Sequence, residues 1–204
     1  MADAKTKTTT ATELGLDMEK LVMFIEIPAG SSVKYEIDEE TGLLMADRFL
    51  HTSMSFPANY GYIMDSKGKD GDPMDVLVLS SQSVGPGVGI KGHVIGLLNM
   101  RDEEGEDTKL IAVPSKKVDP LYGVWEDIKD VPQHVLDRIK HFFDHYKELE
   151  PGKMVETGKY EGRKAAEAQV LEAVRAYQSE LSECCNDEKD CQCHGGHCHC
   201  ADNA

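Results

Sequence analysis

Short apolar segments separated by turn residues constrain the fold of this chain more than any other feature. Most are rich in β-branched or aromatic residues and end at Gly, Pro or acidic positions. One such turn, Glu39-Glu40-Thr41-Gly42, predicts a hairpin. The predicted strands are Leu21–Ile27, Val33–Ile37, Leu43–Phe49, Asn59–Ile63, Val76–Leu79, Val88–Asn99 and Lys109–Val113. Several short strands with regular turns predict a closed or nearly closed barrel.

Two helices are predicted, both late in the chain. Pro132 suits a first helical turn, and Pro151-Gly152 ends the helix that follows. The apolar residues at helical spacing between them are Val135, Ile139, Phe142, Phe143 and Tyr146. The Ala- and Glu-rich segment Glu161–Leu181 predicts a second helix. Its candidate apolar stripe consists of Ala168, Leu171, Val174 and Tyr177.

Composition divides the 204 residues into three parts. Residues 1–12 are rich in Lys, Thr and Ala, lack the apolar region of a secretory signal and predict a disordered arm. Residues 13–181 predict one domain, and residues 182–204 a flexible tail that holds all six cysteines. No stretch has the ~20 consecutive apolar residues of a membrane span. These features favour a cytoplasmic protein whose globular part is not a disulfide framework.

Three carboxylates crowd into one loop, Asp70-Gly71-Asp72-Pro73-Met74-Asp75. Their mutual repulsion favours a bound cation, and oxygen ligands without Cys or His select Mg²⁺, Mn²⁺ or Ca²⁺ over Zn²⁺. An acidic surface turn is the alternative interpretation. The loop fits neither an EF-hand nor a glycine-rich phosphate loop.

A net charge of −15 argues against nucleic acid and against an anionic membrane as partners. An acidic protein can still bind an anionic substrate if metal ions carry the positive charge. A second acidic segment spans residues 102–107, with Lys109 just after it. By itself this segment is interpreted as a solvated hairpin tip. It would be a candidate part of a functional site only if it lay next to the Asp70–Asp75 loop in the folded protein.

Asp70 to Val76 resembles the signature of the family I soluble inorganic pyrophosphatases. The resemblance covers roughly residues 21–177 and is to the bacterial branch throughout. Further matching segments, in the family's order, are Ile25-Glu26-Ile27-Pro28, Lys34-Tyr35-Glu36, Asp47-Arg48-Phe49, Pro57-Ala58-Asn59-Tyr60-Gly61-Tyr62, residues 102–109 and His145-Tyr146-Lys147.

This resemblance implies a mainly β fold with α, a five-stranded OB-like barrel flanked by two C-terminal helices. It also implies a homohexamer that hydrolyses diphosphate to two phosphates with three to four Mg²⁺ ions in the site. Metal ions would lower the pKa of bound water and neutralise phosphoryl oxygens.

The family pattern also implies a role for individual residues. Asp72 is the general base, and Tyr60 completes the catalytic pocket. The metal-binding carboxylates are Asp70, Asp75, Asp102, Asp107, Glu26 and Glu36. The substrate-binding residues are Lys34, Arg48, Lys109, Tyr146 and Lys147. For Lys109 and Glu36 taken singly, a structural ion-pair network remains an alternative.

Two further features of the sequence are a substitution at position 56 and a pair of histidines on the first predicted helix. Phe56 stands where close family members often have Tyr, so we expect retained activity with altered substrate or metal affinity. A Phe56→Tyr variant with unchanged KM and metal dependence would contradict this. His141 and His145 share a helix face but lack the Glu of an HExxH zinc motif, so they are expected at the surface or in a subunit contact.

The tail is rich in soft and borderline metal ligands, and the family resemblance does not extend to it. Its spacing fits no standard zinc finger. The candidate ligands are Cys184, Cys185, Cys191, Cys193, His194, His197, Cys198, His199 and Cys200. Their chemistry favours Zn²⁺, Cu⁺ or Ni²⁺ and predicts a metal-binding or metal-sensing appendage, with oxidative cross-linking of subunits as the alternative.

Two other functions compete with the hydrolase. In a metal-storage protein the barrel would be only a carrier, yet a carrier has no need of phosphate ligands such as Lys34 and Arg48. An OB-fold nucleic-acid binder is disfavoured by the acidity and by the scarcity of basic and aromatic stripes.

Overall fold

Five strands close into a ring in the computed structural model, which describes residues 10–103 and 105–186. Around the ring the strands are β1 (Leu21–Ile27), β4 (Asn59–Ile63), β5 (Asp75–Val78), β8 (Lys109–Pro114) and β6 (Val88–Asp102), which pairs back with β1. The β5–β8 pairing is parallel and the others are antiparallel. The predicted OB-like arrangement of five strands is confirmed.

Four further strands lie outside this ring. β2 (Val33–Ile37) and β3 (Leu44–Phe49) form a separate two-stranded sheet. β7 (Gly105–Glu106) and β9 (Val155–Gly162) pair with β6. The sequence did not predict β9, because this strand alternates half-buried and exposed positions and has no apolar run.

The first helix, α1, spans Gln133–His145 and follows a short 3-10 helix, Ile128–Asp130. Leu136, Ile139, Phe142 and Phe143 are its buried residues, which confirms the predicted apolar face and adds Leu136 to it. The helix ends at Tyr146, whose N–H donates to the carbonyl of Phe142.

The second helix, α2, spans Arg163–Asn186, two residues later at its start and five later at its end than predicted. The predicted stripe is wrong in part. Ala168 is exposed, and Leu171 and Tyr177 are half-buried. The buried residues are Ala166, Val170, Ala173 and Val174. Small side chains let the helix approach the sheet closely, so Ala positions decide the buried face. No helix in the described ranges is long and apolar enough to cross a membrane.

Side chains along β5 and β8 alternate between two apolar clusters, as the two-residue period of a strand requires. On β5, Val76 and Val78 join a cluster that includes residues of α2. Leu77, and Leu79 just beyond the strand, join the other cluster, which includes the buried face of α1. The ring is thereby covered by one helix on each cluster.

The predictions for residues 1–9 and 187–204 lie outside the described residues. Of the tail ligands, Cys184 and Cys185 fall within α2, and the other seven, Cys191, Cys193, His194, His197, Cys198, His199 and Cys200, lie beyond it.

Candidate active site

Strand register brings Asp75 and Lys109 side by side. β5 and β8 run parallel with Val76 opposite Leu110, so Asp75 and Lys109 occupy the same end of the two strands. The Lys109 side chain is only 4% exposed, and its ammonium donates to both Asp75 and Asp107. Burial alone would lower the pKa of Lys109, but the two carboxylates outweigh it and raise that pKa above its usual value. The lysine therefore stays charged among the acids.

The second acidic segment meets this pair. Asp107 follows the hairpin between β6 and β8, and its N–H donates to the carbonyl of Met100 at 2.9 Å. Burial raises the pKa of Asp107, Lys109 opposes that rise, and Asp75 adds to it. Asp102, at the end of β6, accepts from Nζ of Lys147 at 3.1 Å, and both side chains are largely buried. The two ends of the segment, Asp102 and Asp107, thus join the cluster, whereas Glu103 and Glu106 between them are exposed.

Two buried tyrosines line the cluster. The Tyr60 hydroxyl is hydrogen-bonded to Asp75, and burial, then Asp75 and Asp107, raises its pKa well above the ordinary value. Burial and Asp107 likewise raise the pKa of Tyr146. Both phenols remain neutral and can donate hydrogen bonds. Nζ of Lys109 lies 5.8 Å from the Tyr60 ring centroid, and Nζ of Lys147 lies 5.6 Å from that of Tyr146.

The β2–β3 hairpin presents cations opposite each other. Lys34 pairs in register with Arg48 across the two strands. The Lys34 ammonium contacts Glu36 and lies 3.6 Å from Oδ2 of Asp47. The hairpin thus carries acids and cations together, and the side chains of Lys34 and Arg48 can donate strong hydrogen bonds to an anion.

The carboxylate loop is shaped by glycines. Gly71 has a φ of +103°, a conformation that L residues rarely adopt. The N–H of Asp72 donates to Oδ1 of Asp70 at 3.1 Å, and the N–H of Gly68 donates to the Asp72 carbonyl at 2.6 Å. Partial burial raises the pKa of Asp72, with Asp70 and Asp75 as the next causes. The carboxylates of Asp70 and Asp75 therefore lie close enough to that of Asp72 to interact with it electrostatically.

Glu26 extends the acidic cluster from β1. It is 8% exposed, and burial raises its pKa to about 7, with Asp75 and then Glu36 adding to the shift. Its electrostatic coupling to Asp75 and Glu36 places it between the ring and the hairpin. Every site residue predicted within the domain therefore lies in this one region or on the hairpin and loop that border it.

The donor set fits a hard divalent cation. Burial raises the pKa values of Glu26, Asp72 and Asp107, and neighbouring carboxylates add to each rise, so a bound cation would relieve both effects. A cavity of about 420 Å³ beside Glu36 is lined by residues 36–40, Met45 and Asp47, and so is itself acidic. Within the described ranges, no three His, Cys, Asp or Glu side chains form a ready-made metal group. Asp75, Asp102 and Asp107 bond to lysines instead.

The structure shows where Phe56, His141 and His145 lie. Phe56 is buried in the core, with its ring centroid 5.4 Å from that of Tyr60 and 4.9 Å from that of Phe142. It therefore packs directly behind a site residue. The rings of His141 and His145 stack 4.4 Å apart on the outer side of α1, and no metal-ligating third side chain joins them in the described part of the chain.

The sequence reasoning missed one residue at the edge of the site. Glu150 is buried, and its Oε2 lies 3.5 Å from Nη1 of Arg48. Its position directly before Pro151-Gly152, where a helix-terminating loop is normally exposed, gave no sign of burial. Only the contact with a residue 102 positions earlier reveals it, and no local pattern encodes such a contact.

Known proteins share this fold and sequence. A family model described as inorganic pyrophosphatase matches residues 23–178. The inorganic pyrophosphatase of Aquifex pyrophilus is 48% identical over 160 residues, which cover 78% of this chain and 90% of the relative. That of Helicobacter pylori strain 26695 is 45% identical over 166 residues, 81% of this chain and 96% of the relative.

Solved structures agree. The Helicobacter pylori inorganic pyrophosphatase structure superposes with a TM-score of 0.77 and 46% identity, covering 79% of this chain and 95% of that one. The inorganic pyrophosphatase of Thermus thermophilus gives a TM-score of 0.76 at 41% identity, covering 78% and 92%. Matches of this extent, over the segment that carries the acidic and cationic cluster, place the chain in the inorganic pyrophosphatases of family I.

Proposed function

We propose that this protein hydrolyses inorganic diphosphate to two orthophosphates, with Mg²⁺ as its cofactor. The observation that carries the proposal is the meeting of two acidic loops at one buried ammonium, that of Lys109, with further cations on both sides. Membership of the inorganic pyrophosphatase family supports the same reaction.

The carboxylates are the proposed metal ligands. When bound, Mg²⁺ supplies a water of lowered pKa and neutralises phosphoryl oxygens. The residues proposed to hold the three to four ions are Asp70, Asp75, Asp102, Asp107, Glu26 and Glu36. Oxygen-only donors match the preference of Mg²⁺.

Asp72 is the proposed general base. Its backbone is held on both sides, by the Asp70 carboxylate and by the N–H of Gly68. These bonds hold the Asp72 backbone in an exposed part of the loop, from which the carboxylate can accept or orient the proton of the attacking water.

The cations are proposed to bind the two phosphoryl groups. Lys34 and Arg48 on the hairpin bind one, and Tyr146 and Lys147 at the end of α1 bind the other. They supply fixed charge and hydrogen bonds where charge is redistributed in the transition state. Tyr60 and Lys109 complete the pocket from the β-sheet, the tyrosine as a neutral hydrogen-bond donor.

Phosphate release from diphosphate tests the proposal. We expect release with Mg²⁺, none with EDTA, and a fall in kcat of about 100-fold or more in Asp72→Asn. Asp137→Asn, an isosteric change at an exposed position on α1, is the matched control and should keep full activity. Absence of release with every divalent ion, from folded protein, would overturn the proposal.

We further propose a homohexamer located in the cytoplasm. Large apolar side chains are well exposed on the single chain, among them Phe49 at 70% and Leu121 at 68%, and subunit contacts would cover such surface. Native mass spectrometry should give six times the mass of one chain. A monomer at micromolar concentration would contradict the assembly.

The tail is proposed to bind a transition metal separately from Mg²⁺. Six cysteines and three histidines within residues 184–200 are soft and borderline ligands, which select Zn²⁺, Cu⁺ or Ni²⁺. A reducing compartment would keep the thiols free. Titration of the full chain should show binding tighter than micromolar that is lost when all six cysteines become Ser. Unchanged binding in that variant would contradict the tail site, and dimers reversed by thiol reductant would support cross-linking instead.

A further inference from the structure

Glu150 is a buried charge beside the proposed phosphate-binding arginine. It is 9% exposed, and among the described residues its ion-pair partner is Arg48, with 3.5 Å between Oε2 and Nη1. A buried carboxylate is costly unless a cation or hydrogen bonds compensate it. The positive charge of Arg48 therefore compensates part of the energetic cost of burying Glu150. The same contact restricts the position of the Arg48 guanidinium.

This ion pair is only half formed. Nε of Arg48 and Oε1 of Glu150 are both buried, and within the described residues neither has a hydrogen-bond partner. Oδ2 of Asp47 lies 3.9 Å from that Nε, too far for a hydrogen bond. A guanidinium offers Nε and one Nη in a planar fork that matches the two oxygens of a carboxylate. That fork uses Nη2, because Nη1 lies on the side of Cδ and the Nε–H points away from it. In the part of the chain that the structure describes, Glu150 therefore contacts Arg48 through Nη1 alone, with its Oε1 unpaired, and the Nε of Arg48 is unpaired on the Nη2 side.

The pair also joins two separate parts of the site. The β2–β3 hairpin, which carries Lys34, forms its own sheet and is not hydrogen-bonded into the ring by strand pairing. The segment after α1 carries Tyr146 and Lys147, and the N–H of Glu150 donates to the Lys147 carbonyl at 2.9 Å. The Arg48–Glu150 contact therefore ties the hairpin to the segment that bears the opposite phosphate ligands.

We propose that Glu150 is a positioning residue for diphosphate. It holds Arg48 through Nη1 and leaves Nη2, on the far side of the guanidinium from Cδ, for a phosphoryl group. By the same contact it sets the separation between the hairpin cations and those after α1, so that both groups reach one diphosphate. This inference rests on the proposed function, because it acts through the proposed role of Arg48.

Steady-state kinetics of Glu150→Gln with diphosphate at saturating Mg²⁺ test the inference. The amide keeps the shape of Glu150 but loses the charge that holds the guanidinium. We expect KM to rise about tenfold, the effect of losing a charged hydrogen bond. The kcat should stay within about threefold, because ground-state and transition-state binding are weakened together. Glu148→Gln, an exposed change on the same turn, should leave both constants unchanged.

A double-mutant cycle separates positioning from a general structural role. Arg48→Gln should itself raise KM, and Glu150→Gln added to it should change KM by less than about twofold, because the group through which Glu150 acts is gone. The same tenfold rise in both backgrounds would overturn the inference. If Glu150→Gln does not fold, Glu150→Asp retracts the carboxylate by one methylene and should still raise KM severalfold. An unchanged KM in that variant would overturn the inference as well.

The outcomes distinguish the inference from the proposed function. If Arg48→Gln raises KM and Glu150→Gln does not, positioning by Glu150 is wrong while diphosphate hydrolysis stands. If Arg48→Gln leaves KM unchanged, the role of Arg48 and the inference fail together, although the hydrolase can remain. If the wild-type chain releases no phosphate from diphosphate, the proposed function fails first.

Discussion

A single ammonium between two carboxylates determines much of the charge balance at this site. Lys109 is nearly fully buried and donates to Asp75 and Asp107. Such an arrangement stabilises the protein only while all three charges are present, because removal of the cation leaves two acids facing each other at a short distance. The lysine therefore has a structural effect in addition to its proposed role toward substrate.

Replacing Lys109 by Met should destabilise the metal-free protein. The apolar side chain keeps the volume but leaves Asp75 and Asp107 unpaired, so we expect a loss of about 2–4 kcal/mol in the free energy of unfolding in EDTA. Added Mg²⁺ should recover part of it, because a divalent cation can neutralise the same carboxylates. Urea unfolding in EDTA and in Mg²⁺ measures both effects. Lys91→Met, at an exposed position on β6, is the control. Equal losses in the two variants would contradict the assigned role.

At the residue scale, the sequence predicted which side chains belong to the candidate site, but it did not predict which of them contact one another. The acidic loops and the cations stand out by type and order, whereas the meeting of Asp75 with Lys109 depends on the parallel register of β5 and β8. Strands so far apart in sequence leave no local trace of their register. The burial of Glu150 was missed for the same reason.

At the scale of elements, the glycine at position 61 permits β1 and β4 to approach closely. A side chain at Gly61 would overlap the carbonyl oxygen of Phe24, and the N–H of Glu26 would lie 3.0 Å away. β1 and β4 would have to separate, although they pair at this point in the ring. The requirement is for the absence of a Cβ rather than for an unusual φ.

Gly61→Ala should therefore be strongly destabilising. We expect a loss of about 3 kcal/mol or more, since backbone atoms cannot yield as a flexible side chain would. Gly85→Ala has open space around the added methyl group and should change stability by less than about 1 kcal/mol. Chemical unfolding of the two variants beside the wild type makes the comparison. A similar, small effect at both positions would show that the strands are less tightly held than the structure indicates.

A buried aspartate fixes the loop that precedes the 3-10 helix. Oδ1 of Asp119 accepts from the N–H groups of Leu121 and Tyr122 at 3.0 and 3.2 Å, and Oδ2 accepts from that of Ser81 at 2.7 Å. Burial alone would raise the pKa of Asp119, but these hydrogen bonds lower it below 3.8. Its contribution to stability is present above pH 3.8 and is lost as the pH falls through the lower folded pKa.

Asp119→Asn should cost about 1–3 kcal/mol near neutral pH, because the amide NH₂ cannot accept one of these hydrogen bonds. The cost should shrink as the pH is lowered below 3.8, because the wild-type carboxylate loses its advantage as it becomes protonated. Urea unfolding as a function of pH gives the difference between the two proteins. A difference that does not vary with pH would mean that the charge of Asp119 does not contribute.

Elements with a strong apolar pattern were predictable, and weakly patterned ones were not. The seven predicted strands and α1 carry continuous or periodic apolar residues. β9 is polar and half-exposed because it lies at an edge of the sheet. The buried face of α2 was misplaced because alanines, which are neutral in a hydrophobic pattern, form half of it. Tertiary packing therefore decides which face of such a helix is buried.

At the scale of the whole molecule, the net charge of −15 opposes compactness. Any salt screens this repulsion and should raise the melting temperature. A specific Mg²⁺ site adds a second effect, because a ligand that binds only the folded state stabilises it by mass action, by about 2.7 kcal/mol at 100 times Kd. Comparison at equal ionic strength separates the two effects.

We expect MgCl₂ to raise the melting temperature above that in NaCl of the same ionic strength. The excess should disappear in the double variant Asp75→Asn with Asp107→Asn, which removes two proposed ligands and two negative charges. A matched variant, Asp137→Asn with Glu172→Gln, removes the same charge from exposed helix positions and should keep the excess. If both variants respond alike, Mg²⁺ acts on the general charge of the surface. Loss of the excess in the first variant alone localises binding to the carboxylates around Lys109, because the overall charge is then the same in both.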